Sequence, residues 1–217
     1  LEIGPGQAAL TLPLARSGAE MILLELDRDL AHGLETRFAG SDRISVISGD
    51  ALKLDFSQVS DGRRFRLVGN LPYNISTPLL FHVLQWSDLI IDMHFMLQQE
   101  VVNRMAAVPG TKAWGKLSVM CQYHCTVTPL FNVPPEAFRP SPKVQSSIVR
   151  LTPHDQPPVD IDKLDAFEKF VGRVFSQRRK TLRNSLRGML DASSIKAAGI
   201  DPGLRPEMLS LQQFAAL

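Results

Sequence analysis

Cysteine is scarce in this sequence: Cys121 and Cys125 are the only two among 217 residues. That excludes the dense cross-linking by which small secreted folds are stapled. Both alternate with Val119, Tyr123 and Val127, which predicts one face of a strand and reduced core thiols in a cytoplasmic protein. His124 then points the other way, so a four-ligand metal site is not expected. No apolar run approaches the roughly 20 residues that a membrane-spanning helix needs. Excess charge of one sign is also lacking: the net charge is only +2, so any affinity for a polyanion must come from local distribution. What is present, 44% hydrophobic and 21% charged residues, is ordinary for a globular protein. An initiating Met is missing as well. The chain opens at Leu1-Glu2-Ile3-Gly4, already inside a strand–turn unit, and a strand this short against the usual ~5–6 residues leads us to expect missing upstream residues.

Apolar runs and helical segments alternate along the first half. Met21–Leu26, Ile44–Ile47, Phe65–Val68 and Leu89–Leu97 read as strands. Asp27–Phe38, a segment capped by Ser76 and running through Leu84, and Gln98–Ala107 read as helices. This order predicts an α/β fold with a mostly parallel sheet. Val119–Val127 and Val144–Leu151 then predict an antiparallel pair at one sheet edge, separated by a Pro-rich excursion. Residues 152–158 have linker composition, and beyond them only helical patterning remains. Two domains are therefore expected, at 1–153 and 159–217.

Three strand ends carry ligand-type chemistry. Glu2-Ile3-Gly4-Pro5-Gly6-Gln7-Ala8-Ala9 is a strand followed by a Gly-rich turn, the arrangement that brings backbone close to an adenosine-containing cofactor. Gly4, Gly6 and Ala9 satisfy the dinucleotide fingerprint literally, which makes a nicotinamide dehydrogenase a competing reading. Pro5 weighs against it, because it removes one N–H from a loop that should cradle pyrophosphate. Glu25, with Leu26 beside it, closes the second strand, where a carboxylate can accept from a ribose diol. Asp50-Ala51 follows the third, where Asp50 can accept from an adenine amino group while the next N–H donates to the ring. Open α/β sheets bind ligands at this edge.

The fourth strand ends in Gly69-Asn70-Leu71-Pro72-Tyr73-Asn74-Ile75-Ser76. Asn70-Leu71-Pro72-Tyr73 resembles the signature of amino-methyltransferases, which a dehydrogenase does not need. An adenine N6 is a weak nucleophile because its lone pair is delocalised. Acceptors at the Asn70 side chain and the Leu71 carbonyl could take its two protons and aim that lone pair at a methyl donor. Pro72 would stiffen the turn, and Tyr73 could stack on a base drawn out of its helix.

Further segments extend the resemblance over nearly the whole chain: LEIGPG, ELDRDLA, GDAL, GNLPYNISTPLL, FMLQQEVVNR, LSVMCQY, VPPEAFRPSPKVQS and FSQRRKTLRNSL. Together they resemble the KsgA family of ribosomal RNA adenine dimethyltransferases, in its bacterial branch. The resemblance implies a Rossmann-like class I methyltransferase with a small all-helical C-terminal domain that binds RNA. It implies S-adenosyl-L-methionine as cofactor, S-adenosyl-L-homocysteine as product, and no metal. The substrate would be two adjacent adenosines near the 3′ end of 16S rRNA within an immature small ribosomal subunit, each receiving two methyl groups, with a part in subunit assembly. A monomeric protein is expected. Gly4, Gly6, Glu25, Leu26, Asp50, Ala51 and Asn70 would hold the cofactor; Asn70, Leu71, Pro72 and Tyr73 would form the catalytic turn. Phe138 resembles the aromatic that flanks the target base opposite Tyr73. The family also has a segment ahead of the first strand that closes over the cofactor, and without it weak cofactor binding and an inactive fragment are expected.

A second nucleic-acid signal runs from Arg173 to Arg187 without an acid. On a helix, Arg179, Arg183 and Arg187 would share a face beside Phe175, Leu182 and Leu186. With Arg178 and Lys180, and with Lys112 and Lys116 near Pro109-Gly110, they would contact phosphates and supply affinity rather than base reading. A large-subunit rRNA methyltransferase that confers antibiotic resistance, and a non-catalytic RNA-binding assembly factor, are the alternatives.

Overall fold

Parallel pairing of five strands places their carboxyl ends along one edge of a sheet. In this computed structural model, which describes residues 1–139 and 141–217, those strands are β1 (Glu2–Ile3), β2 (Met21–Glu25), β3 (Ile44–Ser48), β4 (Phe65–Asn70) and β5 (Ile90–Gln98). Two further strands, β6 (Cys125–Val133) and β7 (Ser146–Pro153), complete the order β3-β2-β1-β4-β5-β7-β6. Strand β7 runs antiparallel to β5, with His94 opposite Arg150 and Gln98 opposite Ser146. The order reverses direction between β1 and β4, the switch point at which open α/β sheets form a ligand crevice.

Helices α1 (Thr11–Ala15), α2 (Arg28–Phe38), α3 (Phe56–Ser60) and α4 (Ser76–Leu84) connect the parallel strands. Helix α2 starts where expected because the Asp27 carboxylate accepts from the Asp29 and Leu30 amides. One core layer packs Ala8, Met21, Leu23 and Leu34 with Leu12, Phe38 and Val46. Ser76 differs from expectation. It is the first residue of α4 rather than its cap, and its hydroxyl donates to the Tyr73 carbonyl.

The chain forms two compact units: Leu1–Val102 with Thr128–Pro153, and Asn103–Val127 with His154–Leu217. Relative to boundaries at 1–153 and 159–217, residues 103–127 group with the helical part. The second unit holds the end of α5 (Gln99–Met105), together with α6 (Lys116–His124), α7 (Leu164–Ser176), α8 (Leu182–Ser185), α9 (Ala192–Ala197) and α10 (Leu211–Ala216). Its interior contains Trp114, whose indole N–H donates to the Leu209 carbonyl at 2.9 Å, and the packed rings of Phe175 and Phe214.

Two local expectations are overturned. Residues 119–124 are helical, and the strand begins only at Cys125. The alternation 119, 121, 123, 125 imitates a strand, but Leu117, Ser118 and Met120 are buried too, as suits a helix enclosed on several sides. Only one residue of Lys116–His124 is β-branched, whereas Thr126-Val127-Thr128 beyond it favours a strand. Cys121 and Cys125 thus straddle a helix–strand junction, both buried and unbridged. Burial pushes both thiols up, Cys125 to about 12.

The basic stretch is not one helix. Helix α7 stops at Ser176, residues 177–180 turn, and α8 spans only Leu182–Ser185. Arg179, Arg183 and Arg187 therefore do not share a helical face. The amides of Leu182 and Arg183 bond the carbonyls of Leu204 and Pro202, where a continuous helix would require those of the preceding turn.

Candidate active site

The turn after β1 depends on positive φ angles, at Gly4 (65°), Gly6 (53°) and Ala8 (67°). A Cβ on Gly4 or Gly6 would meet no atom within 4 Å, so this turn faces open space. The Gly4 amide donates to the Leu24 carbonyl at 2.9 Å, and the Ala8 amide to Pro5. Ala8 is buried and anchors the turn in the core below.

Glu25 ends β2 and is only 7% exposed. Its Oε2 accepts from the Gly6 amide at 3.0 Å and its Oε1 from the Asp27 amide at 3.1 Å. One carboxylate therefore ties the turn after β1 to the turn after β2. Each oxygen retains acceptor capacity, so a ribose diol remains compatible with this arrangement. Leu26, the next residue, is 64% exposed, an apolar surface at the strand end. Beyond β3, the Asp50 Oδ1 accepts from the Leu52 amide at 3.0 Å, an Asx turn that orients the carboxylate, and Ala51 is buried. The Glu25 carbonyl accepts from the Gly49 amide, which fixes this corner against β2.

Asn70 closes β4 and is exposed. Leu71 is buried and its amide donates to the Met96 carbonyl at 3.2 Å, so the turn leaves the sheet while still attached to β5. The Ile75 amide donates back to the Pro72 carbonyl. Tyr73, half-buried, shares a hydrogen bond of 2.7 Å with the Ser146 hydroxyl at the start of β7. Sequence reasoning missed Ser146; its only signal was its place at the end of PSPKVQS. Phe138 is half-buried and extended (φ −115°, ψ 152°), just beyond a short turn at Pro135–Ala137. Pro140, within the same motif, lies outside the described residues.

The strand order brings Asp50, Glu25, the glycine turn and Asn70 to the carboxyl ends of four adjacent strands, β3, β2, β1 and β4. With neighbouring strands about 4.8 Å apart, this row spans three strand spacings. Open space over Gly4 and Gly6, free acceptor capacity at Glu25 and apolar Leu26 suit an adenosine-type ligand.

The basic residues lie in the helical unit. Arg178 donates through Nη2 to the carbonyls of Lys112 (2.8 Å) and Trp114 (2.9 Å), and its guanidinium lies over the Phe175 ring. Lys116 is half-buried and bonds Glu168 at 2.9 Å. Lys112, Arg179, Lys180, Arg183 and Arg187 are exposed. Arg183 and Arg187 line an open groove of about 460 Å³ with Asn184 and Met189.

Comparison with known proteins identifies the family. The family model described as ribosomal RNA adenine dimethylase matches residues 1–217. Proteins named ribosomal RNA small subunit methyltransferase A are similar over the whole chain: that of Pseudomonas aeruginosa is 56% identical and that of Acinetobacter baylyi 55%, the chain covering 81% and 80% of their lengths. Among solved structures, a dimethyladenosine transferase from Plasmodium falciparum superposes with TM-score 0.80 at 25% identity, over 99% of this chain and 86% of that one. The 23S rRNA methyltransferase ErmE superposes with TM-score 0.74 at 25% identity, over 99% and 87%. The fold is thus that of a class I methyltransferase, and the nicotinamide dehydrogenase reading falls away. A methyltransferase sheet with an Asn-Leu-Pro-Tyr turn at its switch point and a family match from the first residue to the last lead to one conclusion: this chain belongs to the ribosomal RNA adenine dimethylase family.

Proposed function

We propose that this protein transfers methyl groups to N6 of two adjacent adenosines in the 3′-terminal hairpin of 16S rRNA, within an immature small subunit. The observation that carries this reading is the row Asp50, Glu25, glycine turn, Asn70 on adjacent strand ends, with Tyr73 three residues beyond Asn70. S-adenosylmethionine, when bound, supplies an electrophilic sulfonium methyl. Glu25 would accept from its ribose, Asp50 and the Ala51 amide would meet its adenine, Leu26 would cover the ring, and Gly4 and Gly6 would let backbone approach the methionine part. Asn70 Oδ1 and the Leu71 carbonyl would accept the two N6 protons of the target and turn its lone pair toward the methyl carbon. An N–C bond would form as the donor's S–C bond broke, leaving S-adenosylhomocysteine, and the proton then lost from nitrogen would pass to solvent. Positioning and electrostatics carry the rate, with no strong base required. Tyr73 and Phe138 would flank the extruded base. The exposed Lys112, Arg179, Lys180, Arg183 and Arg187 would contact phosphates, while the bonds of Arg178 and Lys116 to their own unit give those two a supporting role.

The test is methylation of unmethylated small subunits by the full-length protein. Wild type is expected to transfer four methyl groups per subunit, and Asn70→Ala to be slower by at least about 10²-fold with cofactor affinity retained. Equal transfer by both would refute the mechanism. The same assay on large-subunit rRNA separates the antibiotic-resistance reading; the 23S rRNA methyltransferase ErmE shares this fold.

A further inference from the structure

We infer that Ser146 is a positioning residue for the target base, acting through the hydroxyl of Tyr73. The inference rests on the reading of Tyr73 and Phe138 as the base's two flanks. Tyr73 lies in a turn with few restraints of its own: Ile75 bonds back to Pro72, and Ser76 donates to the Tyr73 carbonyl. Neither contact fixes the ring. The 2.7 Å bond to Ser146 does, because it holds the far end of the side chain.

Ser146 is suited to that role by its surroundings. It is fully buried, and it stands opposite Gln98 in the β5–β7 ladder. Just beyond it the Gln99 amide donates to the Gln145 carbonyl at 2.9 Å. Its hydroxyl is therefore mounted on the rigid frame of the sheet. The neighbouring Ser147 donates to the Asn132 side chain on β6, at the opposite end of the excursion that carries Phe138. Within that excursion, Ser141 donates to the Pro135 carbonyl at 2.9 Å, and the Phe138 amide bonds Pro135 as well. Ser146 thus fastens Tyr73 by its hydroxyl, while the adjacent Ser147 ties β7 to β6 at the base of the loop that carries Phe138. The Tyr73 hydroxyl is engaged with protein, so its service is to aim the ring rather than to exchange a proton with the base.

The test compares Tyr73→Phe, Ser146→Ala and the double variant in the full-length protein, on unmethylated small subunits. Each single change is expected to lower kcat about tenfold while leaving KM for the subunit and affinity for S-adenosylhomocysteine within twofold. The double variant should be no slower than the worse single one, because both remove the same bond. A subunit carrying 2-aminopurine at the target position adds a readout that a purely structural role would not move: all three variants should shift its fluorescence equally. Multiplicative losses in the double variant, or full activity in either single one, overturn the inference while leaving the functional reading intact. A wild-type protein that transfers no methyl to these subunits overturns both.

Discussion

Gly69 and Ile3 approach so closely across β4 and β1 that a Cβ at position 69 would lie 2.7 Å from the Ile3 carbonyl oxygen and 3.0 Å from the Leu71 side chain. The contact is with backbone, which cannot swing aside. It sits one residue before Asn70, at the strand pair where the order reverses. Gly69→Ala is expected to cost about 1–3 kcal/mol in urea unfolding and to displace Asn70, lowering methyl transfer further than the stability loss alone explains. An unchanged midpoint would show that the strands can separate without penalty.

Glu25 has both oxygens committed to backbone amides, those of Gly6 and Asp27. Glu25→Gln keeps the shape but turns one acceptor into a donor, which must face an N–H. Affinity for S-adenosylhomocysteine, measured by titration calorimetry, should fall at least about tenfold, with a stability loss of roughly 1–3 kcal/mol. Retained affinity would mean that the turn after β1 holds its shape without this carboxylate.

The arginines divide by what they touch. Arg178→Ala removes two bonds to carbonyls and a ring interaction, so it should lower the melting temperature. Arg179→Ala and Arg183→Ala should leave melting unchanged. Each should weaken rRNA binding and make the log–log salt dependence shallower by about one for each phosphate that is no longer neutralised. The reverse pattern would assign the phosphate-binding role to Arg178.

Asp191 caps α9, and the Ser194 amide with the Ser193 hydroxyl holds its carboxyl down to about 2. Because the folded value lies below the ordinary 3.8, the cap stabilises the folded state above that ordinary value and is lost as pH falls through about 2. A carbon-detected NMR titration should place the Asp191 midpoint there, and Asp191→Asn should remove that pH dependence while retaining the cap. A midpoint near 3.8 would mean that the cap bonds are not maintained in solution.

The placement of the candidate site's polar residues at strand ends was legible because each strand-like run stops at a residue unsuited to continuing it: Glu25 before Leu26-Asp27, Asp50 after Gly49, Asn70 before a proline turn. Local chemistry announces such ends. Helix α6 was illegible because its apolar residues happen to alternate, and only its burial on several sides decides the matter. The break between α7 and α8 was hidden for a different reason. The stripe Phe175, Leu182, Leu186 keeps helical spacing across the turn, and the carbonyls that draw the chain away belong to Pro202 and Leu204, some twenty residues on. The bond between Tyr73 and Ser146 spans 73 residues and leaves no periodic trace at all.

Ala8 holds a left-handed backbone conformation that an alanine adopts only at a cost of roughly 1–2 kcal/mol, yet its methyl is wholly enclosed with Met21, Leu23 and Leu34. Glycine would relieve that strain and lose the methyl's packing. Alanine at this position makes the hydrophobic interior the template on which the glycine turn is cast. A receptor moulded from beneath in this way loses little conformational freedom when a ligand arrives, so more of each contact's energy is left to hold the donor in place.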